Sequence, residues 1–267
     1  MTTPILTLEH IRKTFYRGTS NENPVLKDIS LTVNKGDFIS FIGGNGSGKS
    51  TLLNSIAGVF PIDQGKIYLE GSCLNPLTEE ERAQSIARVF QDPTMGTAPR
   101  MTVAENLAIA LKRGEKRGLG RTLSDEHYQQ FKELLSEVDL NLERKIDSDV
   151  SSLSGGQRQV LALLMATIKQ PEILLLDEHV AALDPKATEQ VMKITEERIQ
   201  EANITSLMVT HNMQHAIDHG NRLIMLDEGQ IVIDIAGDDK RNLTVTDLVD
   251  LFHQKSGKSV QTDQMLL

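Results

Sequence analysis

Phe38-Ile39-Ser40-Phe41-Ile42-Gly43-Gly44-Asn45-Gly46-Ser47-Gly48-Lys49-Ser50-Thr51-Leu52-Leu53 decides how the rest of the chain is read. An apolar run meets closely spaced glycines and then a stretch with helical spacing, which reads as strand, loop and helix. Residues 43–50 satisfy GxxxxGK[ST] in the context that its mechanism demands. Glycines let successive backbone N–H groups turn inward around phosphate oxygens, and the helix start adds the positive end of its dipole. Lys49 is placed to reach the β- and γ-phosphates, and the Ser50 hydroxyl to hold Mg²⁺. A second Gly-Lys-Ser, Gly257-Lys258-Ser259, has Phe252 where the leading glycine belongs and is a chance match.

Outward from the loop, Ile173-Leu174-Leu175-Leu176-Asp177-Glu178 reads as a buried strand ending in two carboxylates. Asp177 would supply an oxygen to Mg²⁺ beside a phosphate loop, and Glu178 would polarise a water for attack on the γ-phosphate. Leu153-Ser154-Gly155-Gly156-Gln157 precedes a helix with apolar residues at Val160, Leu161, Leu164, Met165 and Ile168. Ser154 and Gln157 have the spacing of a capping box. Two glycines weaken a helix start, which makes sense where the N–H groups must meet an anion closely. The stretch reads as a second phosphate-facing helix terminus.

Ser206–Val209 and Leu223–Leu226 are further apolar runs of the buried parallel kind, while Ile5–Leu8, Ile29–Val33 and Lys66–Leu69 suggest a more antiparallel N-terminal part. Between about Asp92 and Ile168 the strand pattern gives way to helices, the first opened by the capping box Thr102-Val103-Ala104-Glu105. Lys112, Arg113, Lys116, Arg117 and Arg121 lie there among glycines and read as a solvated loop. The expected organisation is one α/β domain over 1–252, with a helical subdomain at about 93–167 inserted in its core, then a polar tail over 253–267.

Composition narrows the function classes. The 267 residues carry 37 Asp+Glu against 28 Lys+Arg, a formal charge of -9, which argues against a general affinity for nucleic acid. One cysteine, Cys73, leaves no internal disulfide framework. No apolar run approaches the roughly 20 residues that span a bilayer. His211, His215 and His219 would share one face of a helix, but no carboxylate or cysteine completes a metal set, so metal binding is the minor reading.

GGNGSGKST, LSGGQ and ILLLDE, in this order and spacing, resemble the ATP-binding cassette (ABC) ATPases over nearly the whole chain. The resemblance implies a P-loop NTPase (RecA-like) α/β core with an N-terminal antiparallel β subdomain and an inserted helical subdomain. It implies ATP and Mg²⁺ as ligands, with nucleotide contacts from Gly43, Gly44, Asn45, Gly46, Ser47, Gly48, Lys49, Ser50 and Thr51. Gln91 resembles the glutamine that approaches Mg²⁺ together with Ser50 and Asp177, and His211 the histidine that holds the γ-phosphate and attacking water. Phe15, or its neighbour Tyr16, matches the aromatic that stacks on adenine. Ser154, Gly155, Gly156 and Gln157 would close over the nucleotide of a second subunit in a head-to-tail homodimer, with Asp184 of the Ala182-Leu183-Asp184 turn beside it.

The family further implies transmembrane permease subunits, a substrate-binding protein and a peripheral place on the cytoplasmic face of the cell membrane. Longer strings, LLLDEHVAALDPK and VTHNMQHAIDHGNRLIMLDEGQI, look closest to the bacterial tryptophan/tyrosine-type importers of small solutes. Two departures stand out: His179 and Gly44 occupy positions where proline is usual in transport ATPases. An alternative is a soluble ABC ATPase of an assembly machine such as iron–sulfur cluster scaffolding, which also uses a lone cassette.

Overall fold

The computed structural model describes residues 4–114 and 123–256. Lys116, Arg117 and Arg121 of the expected solvated loop lie outside the described residues, as does the tail beyond residue 256. The chain opens with strands β1 (Pro4–Phe15), β2 (Asn23–Asn34) and β3 (Phe38–Ile42), helix α1 (Lys49–Ala57), strands β4 (Gln64–Leu69) and β5 (Ser72–Cys73), and short helix α2 (Glu79–Arg82). Strand β6 (Ile86–Val89), helices α3 (Val103–Leu111), α4 (Asp125–Ser136) and α5 (Gly155–Thr167), strand β7 (Ile173–Asp177) and helix α6 (Pro185–Glu201) follow. The remainder holds β8 (Thr205–Val209), α7 (Met213–Asp218), β9 (Arg222–Asp227), β10 (Gln230–Ala236), α8 (Asp238–Arg241) and α9 (Val245–Ser256). Two compact units result: residues up to Arg82 joined with those from Thr205 on, and Ala83–Ile204.

In the first unit, β2, β1, β4 and β5 form an antiparallel sheet in that order. Strands β1 and β2 run well beyond Ile5–Leu8 and Ile29–Val33. The register between them shifts around His10, whose φ of 52° marks the irregularity, so the polar residues that ended the sequence pattern are carried through by a bulge. Beside this sheet in sequence, β3 pairs in parallel with β8 and β9, and β10 adds antiparallel to β9. Every residue of β3 and β8 is buried, as expected of parallel strands covered on both faces. Ile42, Met213, Ala216, Met225, Leu248 and Phe252 share one core cluster, which fastens α7 and α9 to this sheet. Helix α9 therefore continues to Ser256, past the expected start of the tail at 253.

In the second unit, β6 and β7 pair in parallel and helices α3 to α6 accompany them. The Thr102 box is present in full: its hydroxyl accepts from Glu105 N, and the Glu105 carboxylate accepts from Thr102 N. Helix α5 is buried from Gln159 to Thr167 on all sides, which explains why its apolar residues exceed a single amphipathic stripe. Arg113, expected in the solvated loop, instead donates to Ala166 O in the last turn of α5 at 3.2 Å. A cation at the carbonyl end of a helix complements its dipole. The α/β class read from the sequence stands.

Candidate functional site

The phosphate loop lies in the first unit between β3 and α1. Gly43 has φ 144°, and a Cβ built on it would lie 2.1 Å from Leu226 O and 2.8 Å from Ser47 Oγ. No side chain fits there, so glycine is required sterically as well as conformationally. Gly48 stands at the N-cap of α1 with φ 106°; α1 has no side-chain cap and no acidic residue in its first turn. The helix start thus directs its backbone amides and positive dipole end toward the loop. Lys49 is 5% exposed and its ammonium donates to Gly43 O at 2.7 Å and Gly44 O at 3.1 Å. Ser47 N donates to Gly44 O, so Gly44 closes the turn although no proline stands there. The Ser47 hydroxyl oxygen is buried and, among the described residues, has no hydrogen-bond partner. A buried hydroxyl without a partner, beside a glycine-capped helix start, suits a phosphate. Asn45 and Gly46 form the exposed tip, and Ser50 and Thr51 continue into α1, half-buried.

At the other end of α1, buried Arg82 donates to Ser55 O at 2.9 Å and Ile56 O at 3.0 Å. Phe15 packs edge-on against Phe60 with ring centroids 5.2 Å apart, and the Lys13 ammonium stands 5.4 Å from one ring and 5.3 Å from the other. Lys13 is held in turn by Pro61 O and Asp63. Tyr16, next in sequence, is 72% exposed with φ 53°. His211 is exposed in the turn between β8 and α7. Helix α7 covers only Met213–Asp218, and His219 is already extended, so the expected common helical face of His211, His215 and His219 does not form. Lys240 closes the C-terminal end of this segment with bonds to Ile217 O, His219 O and Gly220 O.

The remaining predicted residues lie in the second unit. Gln91 is exposed immediately after β6. Its neighbour Phe90 gives its carbonyl to the buried amide of Gln159 at 3.2 Å and its ring to the Arg88 guanidinium at 4.6 Å. The same Arg88 stands 3.5 Å from the Asp177 carboxylate across the β6–β7 pair. Asp177 ends β7, and Glu178 follows with φ 50°, a left-handed conformation costing ~1–2 kcal/mol for a residue with a Cβ. His179 is buried, its Nε2 3.3 Å from Thr195 Oγ1.

Ser154 and Gln157 form the capping box that their spacing predicts, each accepting from the other's backbone N–H. Gln157 does more: its Oε1 also accepts from Lys145 Nζ at 3.0 Å, and its Nε2 donates to Leu140 O at 3.1 Å. These two bonds hold the Gln157 side chain beyond the cap that its spacing predicts. Asp184 likewise caps α6 by accepting from Ala187 N at 3.0 Å. The capping box leaves the first two amides of α5, Gly155 and Gly156, outside it. A Cβ on Gly155 would meet Leu183 at 3.3 Å, and one on Gly156 would meet Ala187 at 3.4 Å. Close packing against Leu183 of the 182–184 turn is thus a second reason for glycine at 155, whereas a methyl at 156 would make ordinary contact with α6.

Sequence reasoning missed Lys13, Phe60, Arg88, Gln159 and Thr195. Lys13 lies two residues from Phe15 on β1; the other four come from segments that only tertiary packing brings to the predicted residues or their neighbours.

A family model described as ABC transporter matches residues 26–181. The chain is 43% identical over 248 residues to a tyrosine transport ATP-binding protein of Clostridioides difficile (strain R20291), spanning 93% of this chain and 98% of that protein. Among solved structures, an ATP-binding cassette of an ABC transporter in its ADP conformation matches with a TM-score of 0.75 at 29% identity, over 94% of this chain and 99% of that one. A dimeric cassette in a post-hydrolysis state bound to ADP and Pi matches with a TM-score of 0.72 at 28% identity, over 87% and 98%.

Proposed function

The chain belongs to the ABC transporter family, and from that premise we propose that it is the ATP-hydrolysing subunit of an importer of an amino acid or similar small solute. It works as a head-to-tail homodimer on transmembrane permease subunits fed by a substrate-binding protein. Among the described residues no helix is long and apolar enough to cross a membrane, and the proposed place is peripheral, on the cytoplasmic face. The observation that carries the reading is the glycine-capped start of α1 with buried Lys49 at its head. The 43% identity to a tyrosine transport ATP-binding protein supports the solute class. The single cassette is assigned to 1–252, with its helical subdomain at about 93–167.

In this reading Phe15, propped by Phe60 and Lys13, stacks on adenine. The amides of residues 43–51 and the Lys49 ammonium hold the phosphates. Ser50, Asp177 and Gln91 offer hydroxyl, carboxylate and amide oxygens, a hard donor set that fits Mg²⁺. Among the described residues no cluster of three His, Cys, Asp or Glu could hold a metal by itself, which agrees with an ion held by few side chains plus substrate phosphates. Mg²⁺ bound there would neutralise charge developing on the phosphate oxygens.

Glu178 accepts the proton of the attacking water, and His211 holds that water and the γ-phosphate. Gly155 and Gly156 present their amides, with the Ser154 turn, to the γ-phosphate of the partner copy. One chain has one loop and one such terminus, so two copies complete two sites. Gln91 then passes the nucleotide state on to the permease.

The test is Glu178→Gln in the full chain. Steady ATP turnover should cease while ATP traps a dimer in size-exclusion chromatography; turnover near normal removes Glu178 from the role of base. Purification from detergent-solubilised membranes should bring down a multi-span partner, and recovery of soluble proteins alone would overturn the transport assignment.

A further inference from the structure

The turn after β7 contains a buried polar side chain for which the hydrolytic roles above have no use. His179 follows Glu178 directly and is 1% exposed. Its Nε2 lies 3.3 Å from Thr195 Oγ1 in the middle of α6. The direction of that bond follows from the next one. Thr195 Oγ1 donates its single hydrogen to Val191 O at 2.7 Å, so toward the ring it accepts, and Nε2 carries the hydrogen. Thr195, Val191 and Ile194 are all buried, so breaking the pair would leave a polar atom without water to replace its partner.

Glu178 itself holds a left-handed backbone, a conformation that a residue with a Cβ keeps only where its surroundings fix it. Two further bonds close the turn: Ala181 N donates to Glu178 O at 3.0 Å and Leu183 N to Val180 O at 3.2 Å. Neither reaches α6. Two side-chain bonds do: Thr188 Oγ1 in the first turn of α6 donates to Val180 O at 3.4 Å, and the shorter His179–Thr195 bond ties the residue next to Glu178 to the middle of that helix.

We propose that His179 is a positioning residue: through Thr195 it pins the turn to α6 and so fixes where the Glu178 carboxylate points. The inference rests on the role of Glu178 as base. A displacement of about 1 Å in a reacting group costs about a hundredfold in rate, whereas ATP affinity, set mainly at the phosphate loop, should be indifferent to this turn.

The test compares steady-state ATP turnover by the full chain in His179→Ala, His179→Gln, Thr195→Val, the His179→Ala/Thr195→Val double variant and Glu178→Gln, with binding of a fluorescent ATP analogue as the check on folding. His179→Ala should lower kcat about tenfold to a hundredfold with KM within about twofold of the parent. His179→Gln, which keeps an N–H at similar reach, should recover kcat to within about threefold. Thr195→Val should match His179→Ala in kcat, and the double variant should be no worse than either, because both break the same His179–Thr195 link. A kcat within about twofold of the parent in His179→Ala, no recovery with Gln, or additive losses would overturn the proposal. Active Glu178→Gln indicts the base assignment; inactive Glu178→Gln beside normal His179→Ala indicts His179 alone.

Discussion

Helices α1 and α5 both begin at glycines, yet they begin in opposite ways. The start of α1 has a left-handed glycine at its cap, which offers no side chain to its amides, and a buried lysine as its first residue. The start of α5 is closed by Ser154 and Gln157, and Gln157 is braced again by Lys145 and Leu140. In α1 glycine creates the loop's shape; in α5 a conventional cap creates the shape and glycine only thins the backbone beside Leu183 and Ala187. The difference suits a terminus that wraps its ligand as against one that is held rigid and presented to it.

The sharpest way to break this comparison is at its lysine. Lys49→Met should reduce ATP turnover by about 10²–10³-fold, the loss typical of removing one charge-stabilising donor, in a steady-state phosphate-release assay. A similar loss on replacing Gln157 by Glu, with the fold intact, would show that the two termini act alike after all.

At α5, Gly156→Ala separates packing from presentation. Its methyl would make ordinary contact with Ala187 and should gain up to ~1 kcal/mol of helix propensity, read as an unchanged or raised denaturation midpoint. Turnover should nonetheless fall about tenfold if that amide meets a phosphate at close range. Unchanged turnover would reduce Gly156 to a packing residue. Ser154→Ala removes the cap itself and should cost ~1 kcal/mol in urea unfolding, whereas α1 has no comparable side-chain cap to lose.

The smallest expected effect distinguishes the helices by pH. The α5 box contains no group titrating near neutrality, but in α7 burial, and then the neighbouring His219, hold the His215 imidazole below its ordinary value of 6.5, against the pull of Asp218. Folded His215 therefore resists a proton that the unfolded chain accepts. Stability should be full above pH 6.5 and fall as pH drops from there toward the lowered folded value. His215 is only partly buried, so screening keeps the effect small. Melting temperatures at about pH 7.5 and 5.5 should differ less in His215→Gln than in the parent, because only the parent carries the His215 contribution through that range.

Much of this was legible in the sequence wherever one physical cause acts locally. Uninterrupted apolar runs marked β3, β7, β8 and β9, and hydroxyl–carboxamide or hydroxyl–carboxylate spacing marked the caps at Ser154 and Thr102. Strand β10 was missed, since Gln230 and Asp234 break its apolar pattern on the face away from β9's core. The full length of β1 was missed for a related reason: Glu9, His10, Arg12 and Lys13 look like a strand's end, but a bulge lets the pairing resume. For the candidate site, motif spacing named Lys49, Asp177 and Glu178, while the supports of those groups are contributed by distant segments. Arg88 comes to Asp177 only through the β6–β7 pairing, and Thr195 comes to His179 from the middle of α6. His179 itself looked like a missing proline until its burial was seen.

The Arg82 bonds to the last carbonyls of α1 have a mechanical meaning. A helix loaded at one end usually frays at the other, which dissipates displacement within a turn or two. Helix α1 is clamped at its trailing end by a guanidinium on Ser55 O and Ile56 O, a tie that opposes fraying and would let a tug at residues 43–50 travel along it as along a rod. The chain leaves the first unit immediately after Arg82. The rod's far end is therefore tied, through one side chain, to the residue where the backbone crosses from one unit to the next.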